Sequence, residues 1–132
     1  GVSLPVPEQI LSAEDILALQ KLVRQVPIAE HVRSTVSRFA LLTQADQSDN
    51  PTEVTKYLRF GLSPRGAQSL ILAAKGHALL RGRYNVGFED LQEMLGPVVR
   101  HRLQLNYEGE AEGVDIATIL KKLLETEIRK AT

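Results

Sequence analysis

One helix start is fixed in this chain more firmly than any other, at Gly61-Leu62-Ser63-Pro64-Arg65-Gly66. Ser63 is a good N-cap, and Pro64 suits the first helical position because its missing N–H is one the helix could not have paired. The helix opened there runs to about Gly82, with Ala67, Leu70, Ile71, Ala74 and Ala78 on its main apolar stripe. At about 100° per residue, Leu72 and Leu79 lie well round the cylinder from that stripe. Apolar side chains on two sides predict a central helix packed by more than one neighbour. The rest of the chain has to be arranged around it.

Arg65 sits just inside this start, where the positive end of the helix dipole disfavours a cation by a few tenths of a kcal/mol up to about 1 kcal/mol. Two readings stand side by side. In one, the long side chain bends its head into water and loses almost nothing. In the other, free backbone N–H groups, the dipole end and a guanidinium with paired donors converge on an anion such as a phosphate. Arg65, Leu72 and Leu79 follow one another at intervals of seven residues, which places them on one side of the helix, away from the main stripe.

Before this helix, the first eleven residues carry Pro5 and Pro7 and read as an extended linker, with a helical domain from Ser12 to Thr132. Ser12 caps a helix to about Gln25, with Glu14 and Asp15 in its first turn and Ile16, Leu19, Leu22 and Val23 on one apolar face. Pro27 pushes Val26 out of the α region and ends it. A second helix covers about Ala29 to Gln44, with Val32, Val36, Phe39 and Ala40 on one side and Arg33 and Ser37 on the other. The polar stretch from Asp46 to Thr55, interrupted by Pro51, reads as a surface loop. Val54, Leu58 and Phe60 have the even spacing of a short extended stretch.

After Gly82, Tyr84-Asn85-Val86 cross over to a helix from Phe88 to about Arg100, where Gly96-Pro97 predicts a bend. Leu103 and Leu105 suggest a short extended piece, and Glu108 to Gly113 an acidic loop. Asp115 then caps a last amphipathic helix carrying Ile116, Ile119, Leu120, Leu123 and Leu124. The expected fold class is all-α: a compact bundle of about five helices, with strand stubs near Val26, Leu58, Val86 and Leu103.

The 132 residues fit one domain, and 16 basic against 16 acidic side chains leave no net field to attract nucleic acid or an anionic membrane. The absence of cysteine excludes disulfides and thiolate metal sites and points to a cytoplasmic protein. No signal peptide or membrane-spanning run is present. The first residue is Gly rather than Met, as expected of a piece of a longer product. His31, His77 and His101 are far apart, without the spaced partners of a metal site. The basic run Arg100-His101-Arg102 falls near a helix end, where the dipole favours cations.

Gly61-Leu62-Ser63-Pro64-Arg65, Ala73-Ala74-Lys75, Ala78-Leu79-Leu80, Gly82-Arg83, Val86, Glu89-Asp90-Leu91 and Val99-Arg100-His101-Arg102-Leu103 together resemble the C-terminal lid of MoxR-type AAA+ ATPases. Leu11-Ser12-Ala13-Glu14-Asp15, Leu19-Gln20 and Val26 are similar to the start of the same lid, so the resemblance spans nearly the whole chain. It implies a small helical domain that closes over ATP bound with Mg to a preceding P-loop domain. In this family the arginine of the motif, here Arg65, is the sensor 2 residue that reaches the terminal phosphates. The resemblance thus implies nucleotide binding at Ser63, Pro64 and Arg65, a catalytic role for Arg65, and a ring-forming chaperone or remodelling machine acting on a protein client.

Three positions depart from the family pattern. Gly66 stands where Ala is usual, which loosens the helix start slightly. Thr43-Gln44 replaces a Thr-Arg pair, and Gly87-Phe88 replaces Thr-Pro or a similar pair. No Gly-x-x-x-x-Gly-Lys-Ser/Thr loop and no strand ending in Asp-Glu for magnesium occurs, so the chain by itself is expected not to hydrolyse ATP. A reading of another class is a free-standing helical module that binds a partner protein. The full reading frame separates the two, through a P-loop domain or a start codon just before Gly1.

Overall fold

The computed structural model describes residues 3–44 and 52–132. Residues 3–12 carry no helix or strand. α1 (Ala13–Gln25) begins at a complete capping box, in which Ser12 Oγ accepts the Asp15 N–H at 3.1 Å and Asp15 Oδ2 accepts the Ser12 N–H at 2.9 Å. Val26 ends it in extended backbone, as Pro27 requires. α2 (Glu30–Leu42) buries Val32, Thr35, Val36, Phe39 and Ala40, and leaves Arg33 and Ser37 exposed.

Two short helices appear where the sequence reads as loop. α3 (Thr52–Tyr57) occupies the end of the polar stretch, and residues 46–51 of that stretch lie outside the described residues. Val54, read as part of an extended piece, is instead helical and buried in the core. Its burial supplies what local propensity lacks. β1 (Leu58–Phe60) follows and leads to the Gly61 turn.

α4 (Pro64–Leu80) packs against α1 on one side and against α2 and α5 (Phe88–Val99) on others, the central position expected of it. Leu70, Ala74 and Ala78 have no exposed surface, whereas Leu72 stays 42% exposed. The helix closes in a Schellman motif. Gly82, at φ 73°, donates to Leu79 C=O, and the Arg83 N–H reaches Ala78 C=O at 2.9 Å. α5 runs on through Pro97 to Val99 and buries Leu91, Leu95, Val98 and Val99.

β2 (Gln104–Leu105) pairs antiparallel with β1, Leu58 opposite Leu105 and Phe60 opposite Gln104, with an irregularity between them. Strand stubs therefore form at Leu58 and close to Leu103. At the other two expected places Val26 and Val86 are in no strand, and a single bond from the Val86 N–H to Pro27 C=O joins the crossovers at 3.1 Å. The expected acidic loop is largely α6 (Tyr107–Ala111), capped by Asn106 Oδ1 on the Gly109 N–H at 2.8 Å. Asn106 also donates to Lys56 C=O, and the Tyr57 hydroxyl to Glu112, so the two ends of α6 are fastened to α3 by contacts 50 and 55 residues apart in the chain. α7 (Ile116–Ala131), capped by Asp115, lays Ile119, Leu120, Leu123 and Leu124 against α2 and α5. Five long helices, two short ones and a two-stranded sheet thus make up the described all-α fold.

The apolar face of α1 is the main departure in packing. None of its residues is buried, and Ile16, Leu19 and Leu22 are each between 44 and 47% exposed. Val23 alone of that face is half-buried, beside Gly76 of α4. No helix among the described residues is long and apolar enough to cross a membrane.

Candidate functional site

The start of α4 is built from residues far apart in the chain. Ser63, in extended backbone, accepts the Gly66 N–H on its Oγ at 3.0 Å, and its carbonyl takes the Ala67 N–H at 2.9 Å. Pro64 has no N–H to give. The Arg65 N–H is then the first-turn donor with no hydrogen bond among the described residues, pointing along the positive end of the helix. The Arg65 side chain is exposed and makes no hydrogen bond or ion pair among the described residues. The structure thus brings Ser63, Pro64 and Arg65 together at one helix end, with Arg65 outside the core.

What holds this turn is an anchor that the sequence does not announce. Thr43, fully buried at the end of α2, donates its hydroxyl to Ala40 C=O at 2.6 Å and accepts the Leu62 N–H at 2.7 Å. Gln44 Nε2 donates to Leu62 C=O at 2.8 Å. Both backbone polar groups of Leu62 are therefore satisfied by consecutive residues just past the end of α2, while its side chain is 1% exposed. The only local signal is Gly61, whose place leaves no room for more: a Cβ there would lie 2.4 Å from Thr43 O. Gly61→Ala is expected to cost about 1–3 kcal/mol, because the obstacle is backbone rather than a movable side-chain end. Urea melts of the two proteins check it; an unchanged midpoint would show that the turn shifts freely.

Gly66 also acquires a packing reason. A Cβ at Gly66 would fall 2.6 Å from Leu62 Cδ1 and 3.5 Å from Arg102 Cδ. Arg102 runs along this first stretch of α4, donating to Ser69 Oγ at 3.2 Å and to Val98 C=O at 3.4 Å. Ser69 lies one helical turn from Arg65. A cleft of about 460 Å³ between α2 and α4 is lined by Arg33, Leu41, Gln44, Pro64 and Gln68 among others. Beside it lies another of about 670 Å³ reaching Phe60, which is 57% exposed and carries the Arg59 guanidinium 5.1 Å from its ring centre.

At the far end of α4 is a second polar centre. Asp90 has no exposed surface and accepts from His77 Nδ1 at 2.7 Å, from the Gly87 N–H at 2.8 Å, and from both terminal nitrogens of Arg83 at 2.7 and 2.9 Å. Burial pushes its carboxyl up, but the bonds from His77, the Gly87 N–H and Arg83 outweigh it and hold the group below the usual carboxylate range. Arg83 also pairs with Glu89. His77 is thus a bonded half-buried residue, His31 stacks edge-on against Phe88, and His101 is exposed.

A cleft of about 760 Å³ lies elsewhere, between α2, α3 and α7. There Glu127, 3% exposed, is paired with Lys130 at 3.2 Å, while its Oε1 lacks a hydrogen bond and has Arg38 Nε 4.0 Å away. It shares no lining residue with Ser63, Pro64 or Arg65. Among the described residues no three of His, Asp or Glu are grouped to hold a metal.

Residues 50–123 match the model of the AAA lid domain. The chaperone MoxR1 of Mycobacterium tuberculosis is 32% identical over 126 residues, covering 96% of this chain and 33% of that protein. Protein MoxR of Paracoccus denitrificans is 35% identical over 94 residues, 70% of this chain and 26% of that protein. A crystal structure at 2.00 Å of a protein from Cytophaga hutchinsonii, proposed to be an ATPase, superposes with a TM-score of 0.80 at 29% identity, over 89% of this chain and 36% of that one. The chain spans between a quarter and a third of the length of these two curated relatives. The helical architecture, the capped turn before α4 and the span of this similarity agree, and the chain belongs to the AAA lid domain family, as a lid of the MoxR type.

Proposed function

We propose that this domain closes over ATP and Mg held by a P-loop domain that precedes it, with residues 1–11 as the link, and that Arg65 reads the terminal phosphates. The observation that carries this is the state of Arg65. Its guanidinium and its own N–H are both without partners among the described residues, at the one helix end whose other first-turn donors are already taken. A phosphate oxygen would take both. Ser63 and Pro64 serve by ending the chain's approach at that point. The assembly would be a ring of such subunits in the cytoplasm that remodels or chaperones a protein client, in keeping with the similarity to the chaperone MoxR1 and to protein MoxR.

One arginine and a helix start supply only part of a phosphate site, so the isolated chain is expected to bind ATP with Mg no tighter than the millimolar range and to hydrolyse none. Calorimetric titration of the 132-residue chain tests this. Binding at micromolar or tighter concentration would mean that a complete nucleotide site lies within the chain, and the lid reading would fall.

A further inference from the structure

A capped helix start fixes where α4 begins, but the line along which Arg65 leaves the fold is set one turn upstream, at the peptide of Leu62. We propose that Thr43 and Gln44 are positioning residues for Arg65, gripping Leu62 by its backbone N–H and C=O so that the guanidinium meets the phosphates in one geometry; this rests on the nucleotide reading above.

Four observations converge on it. The Thr43 hydroxyl hydrogen is committed to Ala40 C=O at 2.6 Å, which turns its lone pairs toward the Leu62 N–H at 2.7 Å. Gln44 Nε2 takes the opposite side of the same residue, Leu62 C=O, at 2.8 Å. Gly61 passes so close to the Thr43 backbone that no Cβ fits, which closes the alternative path around the grip. The Leu62 side chain is buried and lies where a side chain at Gly66 would have to go, so it cannot roll without disturbing the first turn of α4. Three residues further on is Arg65. Side-chain bonds to this backbone from the end of a second helix are a stiffer support for a phosphate-binding arginine than its own loop, and an error of about 1 Å in such a group can cost about 10²-fold in rate. Where the MoxR pattern has Thr-Arg, this chain keeps the hydroxyl and puts an amide beside it. The amide supplies the donor that the carbonyl needs.

The test uses the full reading frame carrying this lid, with steady-state ATP kinetics and hydrogen exchange of the Leu62 amide measured together. Gln44→Ala and Thr43→Val are each expected to speed exchange at Leu62 and to lower kcat/KM for ATP about tenfold, and Thr43→Ser, which keeps the hydroxyl, to restore most of the loss. In an Arg65→Ala background, Gln44→Ala is expected to cause no further loss. Unchanged ATP kinetics in Gln44→Ala and Thr43→Val, with faster exchange at Leu62, would overturn the assignment. So would losses that multiply with that of Arg65→Ala. If Thr43→Val fails to fold, Gln44→Ala, whose side chain is half-buried, carries the same comparison. Wild-type kinetics in Arg65→Ala alone would instead sink the nucleotide reading, a result that the Thr43 and Gln44 variants cannot produce.

Discussion

Arg65→Ala in the full-length protein is expected to lower the steady-state rate of ATP hydrolysis by about 10³-fold while leaving the melting temperature of the lid unchanged or slightly raised. The stability half follows from position. The side chain is exposed, pairs with nothing among the described residues, and places a cation at the wrong end of a helix dipole. The activity half follows from the proposed contact. A guanidinium at the terminal phosphates offsets charge as the phosphoryl group leaves and reports the nucleotide state to the lid. Arg65→Lys is expected to recover only part of the activity, because a point charge lacks the paired donors. Thermal melts of the domain beside ATPase assays of both variants decide it. Full activity in Arg65→Ala with a sharply lowered melting temperature would make this arginine a structural residue.

The second large effect concerns the other end of α4. Asp90→Asn is expected to destabilise the domain by about 3 kcal/mol, the lower end of what breaking a buried ion pair costs, since Arg83 remains 35% exposed and can recruit water. Whichever oxygen the N–H₂ of the replacement amide takes the place of, it faces donors: Arg83 Nη1 and the Gly87 N–H at Oδ2, or Arg83 Nη2 beside His77 Nδ1 at Oδ1. The melting temperature of a chain this size should fall by about 10 °C. The sign of the pH effect is also set. The folded-state pKa of Asp90 is depressed, so its contribution is fully present above the unfolded carboxylate value of about 3.9 and is lost as pH falls below it through the folded value. Melts from pH 7 to pH 2.5 should therefore show the two proteins converging in acid. A constant difference across that range would mean that the Asp90 charge contributes nothing and only its pattern of acceptors matters.

The parts of this molecule that could be read from its sequence are those whose cause is local. Ser12, Ser63 and Asp115 cap the helices they were expected to cap, because a side chain and the next three amides are all that a cap requires. α3 and α6 escape such reading. Each is too short to be stable by propensity, and each exists because Val54 or Gly109 is seated in contacts made elsewhere in the chain. The stripe on α1 shows the opposite limit. Periodicity reveals that Ile16, Leu19 and Leu22 form an apolar face but not whether this domain covers it. At the candidate site, Arg65 was visible from its motif and its unfavourable place on the dipole. The grip of Thr43 and Gln44 was not, since it spans 18 and 19 residues and nothing in a Thr-Gln dipeptide indicates it.

α4 is also a lever. Its 17 residues make a rod about 25 Å long, so a displacement of about 1 Å at Arg65 about a pivot at the far end tilts it by roughly 2°. The pivot exists: His77, in the last turn, is tied to Asp90, which is tied to Arg83 beyond the helix. The hub is rooted in α5, which carries α7; α1 leans on the rod itself, and α2 lies between the rod and α7. Close packing does not absorb such a tilt locally. Under the proposed phosphate contact, a nudge at one guanidinium would therefore be passed along α4 to the helices on either side of it, and an event the size of a single phosphate would be felt well beyond its own turn.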